Sequence, residues 1–325
     1  MNYEHIPVLL EEVIYFLNPK PGENFVDATL GGGGYSKTIL QKISPGGKLL
    51  VIDLDKDAIE NFKFQSANWR TNIKHPHPGP LPEGEGVIAV HGNFQNINKI
   101  TKEHEFNNIS GIVADLGLSS YELDQSGRGF SFQKKEPLDM RFDQTKPEDA
   151  SFLLNNRSEQ ELSKIFSDYG EEKFSRQIAR KIQESRSKSQ IRYTTELYQI
   201  IHDSLPKPVK HRADDSARRI FQALRIAVNH ELEALEEFLP KSFDLLNPGG
   251  RLVIVSFHSL EDRIVKQYFN SLSKGCVCPI DFPQCVCGKN PQGKILTKKI
   301  VTASENELKN NPRSKPAKLR AIVKL

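Results

Sequence analysis

One segment restricts the fold of this chain more than any other. The apolar run NFVDAT, from Asn24 to Thr29, leads into four glycines at 31–34 and then into a stretch suited to a helix. The order strand, glycine turn, helix is typical of the first unit of a nucleotide-binding α/β sheet. A second apolar run, KLLVIDLD, places Asp53 22 residues after Gly31, close to the ~20 residues expected between such a turn and an acid that binds ribose. We therefore predict that the chain begins with a βαβ unit.

The alternation of apolar runs and helical stretches continues along the chain and indicates the fold class. Further strands are predicted at GVIAVHGNF, ISGIVADLGLSS, RLVIVSFHS and the final KLRAIVKL. Residues 125–212 form helical stretches rich in charge that interrupt this alternation, and SARRIFQALRIAVNHELEALEEFL then predicts one long amphipathic helix. We predict an α/β fold with a doubly wound, mostly parallel sheet in two parts, 1–124 and 213–325, and an inserted helical domain at 125–212.

Composition excludes a membrane protein and favours a cytoplasmic one. The chain has 325 residues, 37% of them hydrophobic, and a formal net charge of +4. No apolar run approaches the ~20 residues of a membrane span, and the start MNYEHIPVLLEEV carries acids where a signal peptide carries basic and then apolar residues. The proline- and glycine-rich stretch at about 70–86 is predicted to be a surface insertion without chemistry.

The acids at the ends of predicted strands are candidate ligand-binding residues, because open α/β sheets bind ligands beyond the carboxyl ends of their strands. Asp53 is suited to accept hydrogen bonds from ribose hydroxyls, although an acid at a helix start is the alternative interpretation. The dinucleotide fingerprint GxGxxG is incomplete, since Tyr35, Ser36 and Lys37 follow the glycines. This favours S-adenosylmethionine over NAD, and a dehydrogenase on the same fold is the rival hypothesis.

Two strand ends carry residue types suited to methylation of a base amine. Such an amine needs acceptors for its protons and an aligned, dry pocket more than a strong base. Asp115 opens DLGLSS. The strand RLVIVSFHS ends in Phe257, whose ring could stack on a flipped base, and in His258, which adds an imidazole. Turn formation by the serines and a structural histidine are the alternatives. The candidate catalytic residues are Asp115, Ser119, Ser120, Phe257 and His258.

The four cysteines are confined to the loop 276–287. Cys276, Cys278, Cys285 and Cys287 form two CxC pairs six residues apart. Four thiolates in so short a loop could hold a structural zinc ion, but zinc ribbons usually use CxxC. The zinc interpretation and a loop without metal both stay open.

Two segments combine the residue types that bind nucleic acid. GRGFSFQKKEPLDMRFD mixes basic and aromatic residues, and the segment from Lys289 to the end has ten Lys or Arg against two Glu. Both patterns fit contacts with RNA phosphates and bases. Solvated loops or flexible segments would show the same composition.

The chain resembles the bacterial RsmH/MraW family, the cytosine-N4 methyltransferases of small-subunit ribosomal RNA, in nine segments: HIPVLLEEV, DATLGGGGYS, VIDLD, HGNF, DLGLSSYELDQSGRGFSF, PLDMRFD, RIFQALRIAVN, NPGGRLVIVSFHSLEDRIVK and NPRSKPAKLR. The resemblance runs from His5 to the C-terminus. It implies a Rossmann-like methyltransferase domain with a helical insertion for substrate recognition. It also implies S-adenosyl-L-methionine as methyl donor and, as acceptor, a cytidine in the decoding region of 16S rRNA in the small ribosomal subunit.

The resemblance also implies a set of cofactor contacts: Gly33, Gly34, Tyr35, Asp53, Phe94, Asp115 and Glu122. Glu122 stands where the family usually has Gln, and an ionised carboxylate would favour the cofactor's ammonium and repel its carboxylate. Tyr35 stands where many relatives have His. A catalytically silent RNA-binding or assembly factor and methylation of another amine are the alternatives, and a homodimer is left open.

Overall fold

The computed structural model describes residues 7–69, 86–118, 126–275, 278 and 287–325. The chain divides into two compact units. A sheet unit comprises residues 1–117 and 234–325, and a helical unit comprises Leu118–Glu233.

The sheet unit is built on seven strands in the order β3-β2-β1-β4-β5-β7-β6. Strands β1 to β5 are parallel, β7 is antiparallel to β5, and β6 is antiparallel to β7. This confirms the predicted α/β fold with a doubly wound, mostly parallel sheet. The strands are β1 (Asn24–Asp27), β2 (Leu49–Asp53), β3 (Val87–His91), β4 (Ile109–Asp115), β5 (Leu246–Ser256), β6 (Gly293–Ile295) and β7 (Lys318–Lys324).

Helices cover both faces of the sheet and form the helical unit. In the described residues they are α1 (Leu10–Leu17), α2 (Gly34–Ile43), α3 (Lys56–Trp69), α4 (Ile97–Glu103), α5 (Ala150–Asn156), α6 (Glu159–Asp168), α7 (Ser175–Arg186), α8 (Thr194–Ser204), α9 (Ala213–Asn229), α10 (Glu231–Leu245), α11 (Ser259–Ser273) and α12 (Glu305–Asn310). None of these helices combines the length and the apolar character that a membrane crossing requires.

The buried strands send alternate side chains to two separate cores, as the period of two in a strand requires. Leu49 and Val51 of β2 pack on one face with α1, α2 and α3. Leu50 and Ile52 pack on the other face with α4, α10 and α11. Because both faces are apolar, the strands are continuous hydrophobic runs, which is why they could be predicted from the sequence.

The helical unit has its own apolar core, and this core extends beyond the predicted boundary. Helix α9 contributes Ile220 and Leu224 to the same cluster as Leu162 of α6 and Ile178 of α7. The unit therefore ends at Glu233, whereas the predicted insertion ended at 212. The cause is the apolar stripe of α9, which is buried in the helical unit.

The aromatic residues of GRGFSF belong to this core as well. Phe130 is 7% exposed, and its ring stacks on Phe142 with centroids 5.7 Å apart. Phe132 stacks on Tyr198 at 5.6 Å. These rings are engaged inside the helical unit, so the idea that they stack on RNA bases is not supported.

The predicted long helix is two helices, α9 and α10, separated at His230. His230 has a left-handed backbone with φ 53°, and its amide donates to the carbonyl of Ile226. The side chain of Asn229 accepts a hydrogen bond from the amide of Phe142 and donates to the carbonyl of Met140, both at 2.8 Å. These long-range bonds fix the end of α9, and helical periodicity alone does not reveal them.

The C-terminal segment completes the sheet, as the final apolar run predicted. Residues Lys318–Val323 of β7 pair with Arg251–Ser256 of β5. The basic segment after Lys289 thus contains β6, α12 and β7, and the interpretation of it as a flexible tail is wrong for these elements.

Candidate active site

The carboxyl ends of four adjacent strands form one edge of the sheet, which we call the carboxyl edge. It carries Asp53 at the end of β2, Asp27 at the end of β1, Asp115 at the end of β4 and Ser256 at the end of β5. The strand order reverses between β1 and β4, and a crevice opens at such a switch point in α/β sheets. Apart from the two cysteines, the predicted site residues that the structure describes lie at or directly after these strand ends, in the turn and helix start that follow β1, or after the end of β3 in the case of Phe94.

The glycine turn between β1 and α2 requires glycine at two positions. Gly33 has φ 74°, which a residue with a side chain rarely adopts. At Gly34 a Cβ atom would lie 2.2 Å from Cγ of Pro7. The turn therefore brings bare backbone to the first turn of α2, where helix amides lack intrahelical partners and favour an anion.

Asp53 is joined to this turn. Its Oδ2 atom accepts a hydrogen bond from the amide of Gly31, and its Oδ1 atom accepts one from the amide of Asp55, both at 2.8 Å. Burial raises the pKa of the Asp53 carboxyl, and these two amide bonds offset part of that increase. The carboxylate is held at the carboxyl edge and keeps lone pairs for further donors.

Asp27 is a fully buried acid beneath the same turn. Its Oδ2 atom accepts a hydrogen bond of 2.6 Å from the hydroxyl of Ser36, and its Oδ1 atom accepts a weaker one of 3.3 Å from the amide of Thr29. Burial, with a smaller contribution from the charge of Asp53, raises the pKa of Asp27 from 3.8 to about 7, although the hydrogen bonds from Ser36 and Thr29 lower it in part. Asp27 links the end of β1 to the start of α2.

Asp115 carries a buried carboxyl oxygen that the described residues leave unsatisfied. Its amide donates to the Thr29 hydroxyl at 2.6 Å, but its buried Oδ1 atom has no hydrogen-bond partner in the part of the chain that the structure describes. Burial is the main reason that the pKa of the Asp115 carboxyl lies well above its ordinary value, and the charges of Asp27 and Glu261 raise it further. Within the described residues, no Lys or Arg pairs with Asp27 or Asp115.

Tyr35 directs its side chain into the protein. It is 3% exposed, and its hydroxyl donates to the carbonyl of Val8. A role of Tyr35 toward a ligand would therefore fall to its backbone amide in the first turn of α2. The replacement of His by Tyr in this position is compatible with such a role.

The residues after β5 are held by Glu261, which is 2% exposed. Its Oε2 atom accepts hydrogen bonds from the amides of Phe257 at 2.8 Å and His258 at 3.3 Å. In return, Nδ1 of His258 accepts the amide of Glu261 at 3.4 Å and caps α11. Nε2 of His258 lies 3.0 Å from Oε1 of Glu261, in an orientation that does not make a hydrogen bond.

Phe94 follows β3 and lies in a short turn, Phe94–Asn96, that precedes α4. Its ring contacts Phe238 edge to face, with centroids 5.1 Å apart. The turn is fixed by Asn93, whose side chain accepts the amide of Gln95 at 2.9 Å. Phe94 is thus at the carboxyl end of the strand next to β2, as its predicted role requires.

Several predicted residues lie outside the described part of the chain: Ser119, Ser120, Glu122, Cys276, Cys285 and most of the insertion at 70–86. Cys278 and Cys287 are described. Among the described residues, no group of three or more His, Cys, Asp or Glu is arranged to hold a metal ion, so the zinc interpretation gains no support.

Asp27 and Glu261 were not predicted as site residues. The available signal for Asp27 is an acid that ends a buried strand immediately before the glycine turn. For Glu261 it is an acid three residues after His258 at a helix start, the spacing of a capping box. Neither signal reveals that the two carboxyls are buried near Asp115.

The comparison with known proteins covers the whole chain. A profile of the MraW methylase family matches residues 2–325. Two curated relatives are named ribosomal RNA small subunit methyltransferase H. The one from Clostridium botulinum (strain 657 / Type Ba4) is 48% identical over 325 residues, which is 100% of both chains. The one from Syntrophotalea carbinolica is 43% identical and covers 99% of this chain and 98% of its own.

Solved structures are more distant. An rRNA methylase from Streptococcus thermophilus is 11% identical, with a TM-score of 0.41 over 100% of this chain and 99% of its own. The family match and the full-length relatives are decisive, and the chain belongs to the MraW methylase family.

Proposed function

We propose that this protein transfers a methyl group from S-adenosylmethionine to the exocyclic N4 amine of a cytidine in the decoding region of 16S rRNA. The observation that carries the proposal is the buried carboxyl of Asp115 at the carboxyl edge, whose Oδ1 atom has no hydrogen-bond partner among the described residues. A buried polar atom without a partner costs free energy, so this atom fits a donor or a cation that a ligand supplies. The family and the names of the curated relatives support small-subunit rRNA as the acceptor.

The charges at the carboxyl edge fit S-adenosylmethionine, which carries a sulfonium and an ammonium cation. Asp27 and Asp115 are buried acids that pair with no Lys or Arg of the described residues, and a bound cation would favour their ionised forms. Asp53 would accept the ribose hydroxyls, while Phe94 would contact the cofactor from the end of β3. When bound, S-adenosylmethionine supplies an electrophilic methyl group on sulfur.

The amides at the start of α2 complete the proposed cofactor site. Gly34 and Tyr35 bring backbone donors to a helix N-terminus, which favours the carboxylate of the cofactor. The amide of Gly33 donates to the carbonyl of Leu30 at 2.8 Å, so Gly33 would contact the cofactor through its bare backbone instead. Glu122 lies outside the described residues and is proposed as a further contact on the resemblance alone.

The acceptor amine needs alignment and an acceptor for its protons, because its lone pair is delocalised into the base. Asp115 would accept an N–H of the amine and hold it in line for transfer. The amine nitrogen would bond to the methyl carbon as the carbon–sulfur bond breaks, which leaves S-adenosylhomocysteine, and the methylated amine would then release its extra proton to solvent. Phe257 would stack on the base, and His258 would contact the substrate beside it. Ser119 and Ser120 are proposed as additional polar contacts from their place after β4.

The test is incorporation of labelled methyl from S-adenosylmethionine into small ribosomal subunits that lack the modification, followed by mass analysis of the nucleosides. We expect N4-methylcytidine as the labelled product. Label in another nucleoside would overturn the assignment of the acceptor atom. Binding of RNA without transfer would instead identify a catalytically silent assembly factor.

A further inference from the structure

The C-terminal segment brings lysines to the flank of the carboxyl edge. Because β7 is antiparallel to β5, its first residue, Lys318, pairs with Ser256, the last residue of β5. Phe257 follows directly. The chain that precedes β7 therefore reaches the edge of the sheet that carries the candidate active site.

A loop beside β7 is anchored at both ends. The amide of Leu296 donates to the carbonyl of Ala321 at 2.9 Å. Val301 and Leu319 exchange two backbone hydrogen bonds of 3.4 and 2.9 Å. The residues between these anchors, 298–300, are exposed, so the loop presents Lys298 and Lys299 to solvent from a fixed base.

The residues just before β7 are fixed as well. Ser314 and Ala317 are fully buried. The Ser314 hydroxyl donates to the carbonyl of Asn311 at 2.7 Å, and the amide of Ala317 donates to the carbonyl of Ser314 at 3.0 Å. Lys315 lies between the two buried residues and is exposed.

Lys298, Lys299 and Lys315 are a set of exposed cations, which we call the lysine rim. None of the three has an ion pair with a described residue. Asp262, an acid in the first turn of α11, is neutralised by Arg320 through two bonds of 2.6 and 3.1 Å. Helix α12 carries two acids in this part of the chain, Glu305 and Glu307, and the Glu307 carboxylate accepts the amide of Leu9 at 2.7 Å.

We infer that the lysine rim binds the phosphate backbone of the RNA strand whose nucleotide enters the carboxyl edge. This inference rests on the proposed function. Lysine acts toward phosphate as a point charge, and backbone phosphates position an RNA without reading its sequence. Since the backbone on both sides of the rim is anchored, binding orders little further chain.

The test compares a triple variant, Lys298→Ala, Lys299→Ala and Lys315→Ala, with the wild type on small ribosomal subunits that lack the modification. We expect weaker RNA binding. The slope of log affinity against log salt concentration should become less steep by about 2, because each lost phosphate contact removes about 0.7–0.9 from the magnitude of that slope. The KM for RNA should rise, while kcat at saturating RNA and the affinity for S-adenosylmethionine should not change.

The matched control removes three exposed lysines near the opposite edge of the sheet: Lys20→Ala, Lys42→Ala and Lys48→Ala. This control loses the same total charge but should keep the wild-type salt slope. Equal slopes for both triple variants would overturn the role of the rim. Absence of methyl transfer by the wild type would overturn the proposed function alone, because the salt slopes would still decide the role of the rim.

Discussion

At the scale of single residues, the carboxyl edge concentrates acids that have no matching cations in the described part of the protein. Asp27 and Asp115 are buried, and burial raises the pKa of both carboxyls. Such an arrangement costs stability in the absence of a ligand and strengthens the attraction for a cationic one. The same buried acids therefore lower the stability of the unliganded fold and increase the affinity for a cationic ligand.

The pH dependence of stability should reveal Asp27. Its pKa is raised from 3.8 to about 7 by burial, so between these values the folded state keeps a proton that the unfolded state has lost. The contribution of Asp27 to stability is thus complete below pH 4 and is lost as the pH rises to 7, by at most about 4 kcal/mol at ~1.36 kcal/mol per unit of pKa.

Asp27→Asn should remove this dependence. The difference in unfolding free energy between the variant and the wild type should grow in favour of the variant from pH 4 to pH 7 and stay constant above it. Urea denaturation at several pH values measures the difference. A difference that does not vary with pH would show that Asp27 titrates normally.

Asp115→Asn should raise the stability of the unliganded protein and lower its methyl-transfer activity. The substitution removes a carboxyl whose ionised form is disfavoured by burial and by the charges of Asp27 and Glu261, so the unliganded protein should become more stable at pH values at which that carboxyl ionises. Methyl transfer should fall about 10- to 100-fold, the size of a charge-assisted hydrogen bond. Asp57→Asn, a change of an exposed acid on α3, is the control and should alter neither. Unchanged transfer in the Asp115 variant would contradict its role.

Some of these residues could be predicted and others could not, for a physical reason. Asp53 and Asp115 end apolar runs, and strand ends in parallel sheets meet at one edge, so their proximity follows from the sequence pattern. The importance of Asp27 depends on the Ser36 hydroxyl and on complete burial, and that of Glu261 depends on the fold of its own turn. Burial by residues that are distant along the chain leaves no periodic pattern in the sequence.

At the scale of elements, the start of α11 links helix capping to the candidate active site. The capping box pairs His258 with Glu261 and fixes the backbone of Phe257. A histidine is an unusual N-cap residue. The helix start therefore holds two proposed substrate contacts in one orientation.

Glu261→Ala should lower both the free energy of unfolding and the rate of methyl transfer. Loss of the carboxylate leaves two part-buried amides, of Phe257 and His258, without their acceptor and should cost about 1–3 kcal/mol of unfolding free energy. It should also lower methyl transfer at saturating substrate. Glu161→Ala removes the corresponding residue of the Ser158 capping box of α6 and should lower stability without changing transfer. Equal effects of both variants on transfer would show that Glu261 acts only through stability.

The separation of α9 and α10 shows what periodicity misses. Apolar residues continue at helical spacing through Asn229 and His230, so the sequence reads as one helix. The break arises from bonds between Asn229 and the backbone at 140 and 142, nearly ninety residues away along the chain. A polar residue with partners that distant carries no local signal.

At the scale of the whole molecule, the sheet unit is discontinuous in sequence and the helical unit is continuous. The helical unit has an apolar core of its own, with fully buried residues from α5 to α9. A continuous segment with a separate core has the property of an independent domain.

The fragment 118–233 should therefore fold alone. We expect a helical circular dichroism spectrum and one cooperative thermal transition from the isolated fragment. A broad transition without cooperativity would show that this core depends on the sheet unit.

The architecture was predictable at this scale because parallel strands and helices alternate in a regular order. The helical unit extends past the predicted boundary at 212, to Glu233, because the apolar stripe of α9 at Ile220 and Leu224 is buried among α6 and α7. An amphipathic stripe shows that a helix packs against something, and its partner is fixed only in three dimensions.

Strand β7 lies next to β5 in the sheet, although many residues separate the two strands along the chain. It pairs with β5, yet it follows β5 by more than sixty residues along the chain and is therefore synthesised later. While the chain is still being translated, the outer edge of β5 has no neighbour, and an unpaired edge invites association with other chains. The helical unit is complete long before this point. A chain that terminates before Lys318 would therefore carry a folded insertion beside an open sheet, and it would be a target for quality control.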